Sequence, residues 1–104
     1  MNAGAGMEQE LIILVFNSSI EDEVMEALHA AGMTCYTKVP HAQGVGKESE
    51  PRLDSHVWPG TNTMLFICTP KEVRDRLVGA IREVKERHTE EGVKAIIVPV
   101  ITSI

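Results

Sequence analysis

Gly44, Val45, Gly46 and Lys47 stand together near the middle of the chain and are the residues best suited to cradle an anion. Glycines let backbone N–H groups approach a phosphate closely, and a lysine beside them neutralises its charge. The run matches neither a P-loop nor the six-residue dinucleotide fingerprint, and no helical pattern begins behind it. Read by itself it is a flexible loop, because turns take glycine for conformational reasons alone. His41 and His56 flank it, with Asp54 two residues before the second histidine. Two imidazoles and a carboxylate suit a divalent transition metal if the intervening chain folds back. Their spacing fits no compact zinc motif, and such a set is more often plain surface. No nucleophile elbow, no serine and histidine set with a partner acid, and no acid/base carboxylate pair is present, so catalysis is not expected.

The remaining reactive side chains read as structural. His29 and His88 fall on helical runs, the second in a last turn where a cation favours the helix dipole. Cys35 and Cys68 lie in strand-like runs and are expected as buried thiols acting as small hydrophobes, not as a disulfide. Trp58, the single tryptophan, is expected to pack.

These residues belong to a chain of 104, 43% hydrophobic and 24% charged, which is the composition of one globular domain. Ten basic against fifteen acidic residues give a net charge of −5, without a basic patch, so nucleic acid is not an expected partner. The aromatic set of Phe16, Tyr36, Trp58 and Phe66 offers little for stacking bases. Leu11–Phe16, the longest apolar run, falls far short of the roughly 20 residues that span a bilayer. No basic stretch followed by an apolar segment marks a secretory signal, and a cytoplasmic location is expected. Residues 1–10 read as a flexible leader, and 11–104 as a single domain.

Within that domain the apolar run 11–16 predicts a strand buried on both faces. Ser18 with Glu21, or Ser19 with Asp22, has the spacing of a capping box. Val24, Met25, Leu28 and Ala31 then follow at helical intervals, predicting a helix over 20–31 that Gly32 stops. Thr34–Val39 suits an edge strand, and a loop of about 40–62 follows, rich in glycine and proline. Thr63–Cys68 is a second buried strand. Thr69 and Pro70 predict a cap and a first helical residue. The stripe Val73, Leu77, Ile81 and Val84 marks that helix, and its outer face offers Glu72 to Arg76 and Glu83 to Arg87 at i, i+4. Gly92 is expected to end it, and residues 95–98 form the last strand, with Pro99 at an edge.

The order βαββαβ predicts an α+β, ferredoxin-like fold: a four-stranded antiparallel sheet with two helices on one face and the first and third strands central. Both faces of those central strands are apolar, so the face without helices is expected to be covered by self-association, or else by the long loop folding beneath it.

Ile20–Leu28 ending in Gly32, then Thr37–Val39, Gly44 to Gly46, Glu72 and Val73 to Ile81, and Ile97–Val100 resemble the PII nitrogen regulatory proteins and their PII-like relatives over about 11–100. The resemblance implies a non-catalytic signalling homotrimer that binds an adenine nucleotide between subunits and presents a T-loop to a target protein such as a transporter or enzyme. It places Gly44, Val45, Gly46 and Lys47 at the T-loop base and Thr37 near the nucleotide base. Glu90 and Glu91 stand where the family's phosphate-binding turn is basic, and residues 101–104 carry none of its C-terminal arginines. The CutA family is similar in architecture and points to the alternative, a transition-metal sensor with His41 and His56 as ligands.

Overall fold

Side chains alternate in burial along Gln9–Asn17, the first strand, β1: Ile12, Leu14 and Phe16 are completely buried, while Leu11, Ile13 and Val15 are only half-buried. Period-two alternation in a run that is apolar at every position means that one face has found a cover and the other has not. The computed structural model describes residues 8–42 and 61–104. In it β1 is followed by a single 3-10 turn, Ser18–Ile20, helix α1 (Glu21–Ala30), and strands β2 (Thr37–Ala42) and β3 (Asn62–Pro70). Helix α2 (Lys71–Arg87) and strand β4 (Val93–Pro99) complete the order. The strands lie in the sequence β2-β3-β1-β4, all neighbours antiparallel, as the ferredoxin-like reading requires.

The register explains the core. Leu14 sits between Leu65 and Ala95, and Ile12 between Ile67 and Ile97, so the covered face is a continuous apolar band. Val24 and Leu28 of α1 and Leu77, Ile81 and Val84 of α2 close over it. On the opposite face Ile13 lies between Phe66 and Ile96, and Leu11 between Cys68 and Val98. No described element packs on that side.

Helix ends differ from expectation in instructive ways. Asn17, not a serine, supplies the first cap: its side-chain oxygen accepts from the Ser19 N–H at 2.9 Å. Thr69 does not cap α2, because pairing with Glu10 in the β1–β3 ladder keeps it in the strand. Pro70 therefore takes the N-cap place, extended at φ −62° and ψ 151°, and the Lys71 N–H donates to the Glu8 carbonyl at 3.1 Å. At the other end of α1 the Met33 N–H reaches the Leu28 carbonyl and the Gly32 N–H reaches that of His29, the paired bonds of a Schellman motif. Gly32 has φ +113°, which only glycine adopts without strain. Gly92, by contrast, does not end α2, which stops at Arg87; at φ +85° it turns the chain into β4.

Two further expectations are corrected. Arg76 and Arg87 do not pair along α2 with Glu72 and Glu83. Arg76 donates to the Ala31 carbonyl at 3.2 Å and Arg87 meets Glu23 at 2.7 Å, so both tie α2 to α1. Cys35 and Cys68 are exposed, not buried. Cys35 lies in the irregular stretch before β2, which begins three residues later than predicted, and Cys68 falls on the uncovered sheet face.

Leu14→Ala is expected to cost about 2–5 kcal/mol, as for any large-to-small change at the centre of a packed core. Gly32→Ala should cost about 1–3 kcal/mol through the positive φ alone, and its new Cβ would stand 3.2 Å from the Arg76 guanidinium. Urea titrations of the two variants measure both values.

Candidate functional site

β1 and β2 end, and β3 and β4 begin, at one end of the antiparallel sheet, so Ala42, Thr61, the 3-10 turn and the α2–β4 turn are gathered there. Polar side chains fix this end. The Ser18 N–H donates to the Thr61 carbonyl at 2.8 Å, and the Ser18 and Thr63 hydroxyls are 2.7 Å apart. Thr63 Oγ1 donates onward to Glu21 Oε1 at 3.1 Å, and Lys38 Nζ meets Glu21 Oε2 at 2.6 Å. One carboxylate thus joins β2, β3 and the start of α1, bracketing the point where the 43–60 segment leaves and returns. The Lys38 hydrogen bond, helped by that of Thr63, outweighs partial burial and holds the Glu21 carboxyl below its ordinary value, while Glu21 in turn raises Lys38.

A second cluster fixes the α2–β4 turn. His88 Nε2 donates to Glu23 Oε1 at 2.6 Å, and its Nδ1 lies 3.4 Å from Glu91 Oε1. The bonds from His88, and then from Arg87, hold the Glu23 carboxyl below its ordinary value. His88 is therefore structural, as expected, but as the C-cap residue beyond the last turn of α2. His29 is structural too: its Nδ1–H donates to the Met33 carbonyl at 3.3 Å, and its ring meets Tyr36 edge-on.

The sequence-predicted site residues divide between the described chain and the rest. Thr37 is exposed on β2, opposite Phe66 on the uncovered face. His41 is exposed beside an irregularity in the β2–β3 register, with φ +58°. Gly44, Val45, Gly46, Lys47, Asp54, His56 and Trp58 lie outside the described residues. Among the described residues no three of His, Cys, Asp or Glu come together to hold a metal. No described helix is long and apolar enough to cross a membrane. Sequence reasoning missed the Lys38–Glu21–Thr63–Ser18 network because Ser18 and Glu21 matched a capping box; the lysine and threonine that engage them are far away in the chain.

The family model for nitrogen regulatory protein P-II matches residues 9–104. The chain belongs to the P-II family. Among solved structures, the PII-like signalling protein TTHA0516 of Thermus thermophilus is 26% identical, covering 90% of this chain and 87% of its own, with a TM-score of 0.65. CPII of Thiomonas intermedia K12, a nitrogen regulatory PII-like protein seen bound to ADP, AMP and bicarbonate, is 18% identical, covering 93% of this chain and 97% of its own, with a TM-score of 0.63. Its apo form gives 0.60, at 18% identity, over 89% of this chain and 91% of its own. No curated protein matches the sequence. For this P-II chain the resemblance read from Thr37–Val39 and the helix patterns was therefore correct, and so was the ferredoxin-like fold.

Because Glu21 and Glu23 are held below the ordinary 4.5, their partners stabilise the fold fully above that value, and the stabilisation is lost as pH falls through the lowered values. Glu23→Gln should therefore be less stable than wild type at pH 7 and should lose less stability on acidification below pH 4.5. Thermal melts of both proteins between pH 7 and pH 3 check this.

Proposed function

We propose that this P-II protein is a non-catalytic regulator that assembles as a homotrimer, binds a small effector of the adenine-nucleotide class in clefts between subunits, and presents segment 43–60 to a target protein. The observation that carries the proposal is the uncovered sheet face. Leu11, Ile13, Val15, Met64 and Phe66 are half-exposed there, and Ile96 and Val98 are 48% and 36% exposed. Apolar surface removed from water contributes about 25 cal/mol per Å², so a face of this kind favours association strongly. Thr37 lies at its edge on β2, the strand that leads directly into Gly44–Lys47, so a ligand between subunits would touch both an edge strand and the base of the 43–60 segment. A ligand held at the root of that segment would change what a target protein meets without repacking the core. The nucleotides seen in CPII support the ligand class.

Sedimentation equilibrium and calorimetry test the proposal together. Wild type is expected to sediment as a trimer and to bind at least one of ATP, ADP and AMP. Ile13→Glu places a charge at the centre of the open face and should give a folded monomer, by far-ultraviolet circular dichroism, that no longer binds. A monomeric wild type, or silence with all three nucleotides at millimolar concentration, would sink the proposal.

A further inference from the structure

His88, the C-cap residue of α2, is met by carboxylates at both ring nitrogens. Nε2 stands 2.6 Å from Glu23 Oε1 on α1, and Nδ1 stands 3.4 Å from Glu91 Oε1 in the turn that leads to β4. With 21% of its side chain exposed, the ring is largely shielded from solvent. An ionised carboxylate only accepts, whereas the number of donors on an imidazole depends on its charge. The neutral ring has one N–H and the imidazolium has two. The short bond to Glu23 claims the single proton of the neutral ring, which leaves a bare lone pair on Nδ1 facing the Glu91 carboxylate. Two acceptors in that position repel. A second ring proton turns the same contact into a charge-assisted hydrogen bond, so both carboxylates are satisfied together only when the ring is charged.

The surroundings fix one half of this arrangement and leave the other to the ring. Among the described residues the charged groups at His88 are Glu23 from α1, Glu91 from the turn, and Arg87 beside it on α2. Arg87 is a permanent cation and holds Glu23 Oε2 at 2.7 Å, so Glu23 keeps its place in either state of the ring. Lys85, also in the last turn of α2, gives its ammonium to the Val93 carbonyl instead. Glu91 has no ion pair but that with His88 among the described residues. The proton on Nδ1 therefore decides whether the turn is tied down.

We propose that His88 is a proton-operated clasp: the imidazolium ties the α2–β4 turn to α1 by donating to Glu23 and Glu91 at once, and the neutral ring keeps Glu23 and releases Glu91. Histidine is the side chain that changes charge between about pH 5 and pH 8, so acidity in that range is the signal the clasp reads. The turn carries Glu90 and Glu91 at the end of the sheet where β1 and β2 finish. A proton taken up at His88 thus changes both the charge and the mobility of that end. This inference does not rest on the nucleotide or trimer reading.

Nitrogen-15 NMR of the whole protein at pH 5 and pH 8 tests it. At pH 5 both ring nitrogens of His88 should carry protons, and backbone order parameters over residues 89–92 should be near the rigid value of about 0.85. At pH 8 only Nε2 should be protonated, and those order parameters should fall toward about 0.6. Far-ultraviolet circular dichroism should be the same at both, which confines the change to the turn. Glu91→Gln discriminates, because its amide accepts from a protonated Nδ1 and donates to a bare one, so the turn should stay ordered at both pH values. Glu91→Ala can do neither and should be mobile at both. Equal order over residues 89–92 at the two pH values in wild type, or a wild-type pH response kept by either variant, would overturn the proposal. So would a neutral ring that carries its proton on Nδ1.

Discussion

β1 and β3 form a two-stranded ribbon that is apolar on both sides, and each other element is placed by the need to bury it. Their register brings Ile12, Leu14 and Phe16 level with Ile67, Leu65 and Thr63 on one face, and α1 and α2 close over that one surface. A chain of this length supplies two helices, enough for a single layer. The second face, built from Leu11, Ile13, Val15, Met64 and Phe66, is then left to be covered from outside the described elements. The pattern that makes the strands central also leaves one apolar face uncovered by any described element.

Charge does different work. Single carboxylates act as joints between elements that packing alone would let slide. Glu21 joins β2, β3 and α1 at the end of the sheet, and Glu23 joins α1 to the end of α2 through Arg87 and His88. Exposed pairs of this kind contribute little each to stability. Their value is positional, because they fix the chain at two places, the strand ends that flank residues 43–60 and the α2–β4 turn.

Sequence periodicity showed most of this fold because burial writes itself into the chain at period two or 3.6. The central strands, the α2 stripe and the stop at Gly32 were all legible for that reason. What failed was whatever depended on a partner distant in sequence. Ser18 and Glu21 have capping-box spacing, but Thr63 and Lys38 claim them. Glu83 is four residues from Arg87, yet Glu23 across the helix pair wins, since a contact between helices adds docking to charge. Thr69 resembles a cap, but the ladder with Glu10 holds it extended. Cys68 was read as buried from a continuously apolar run, and such a run does not reveal which alternate set remains open. Of the candidate site, Thr37 was legible as an edge-strand residue, whereas His41, expected in the loop after Pro40, lies on β2 itself.

The two edges of the described sheet are protected unequally. Soluble proteins blunt exposed edges with prolines, bulges and charge, since an open row of N–H and C=O groups invites unwanted pairing. β2 has all three: Pro40 within the strand, a register irregularity before Ala42, and Lys38. β4 has Pro99 only at its far end and one outward carbonyl occupied by Lys85, so among the described residues nothing pairs with the stretch around Ala95 and Ile97.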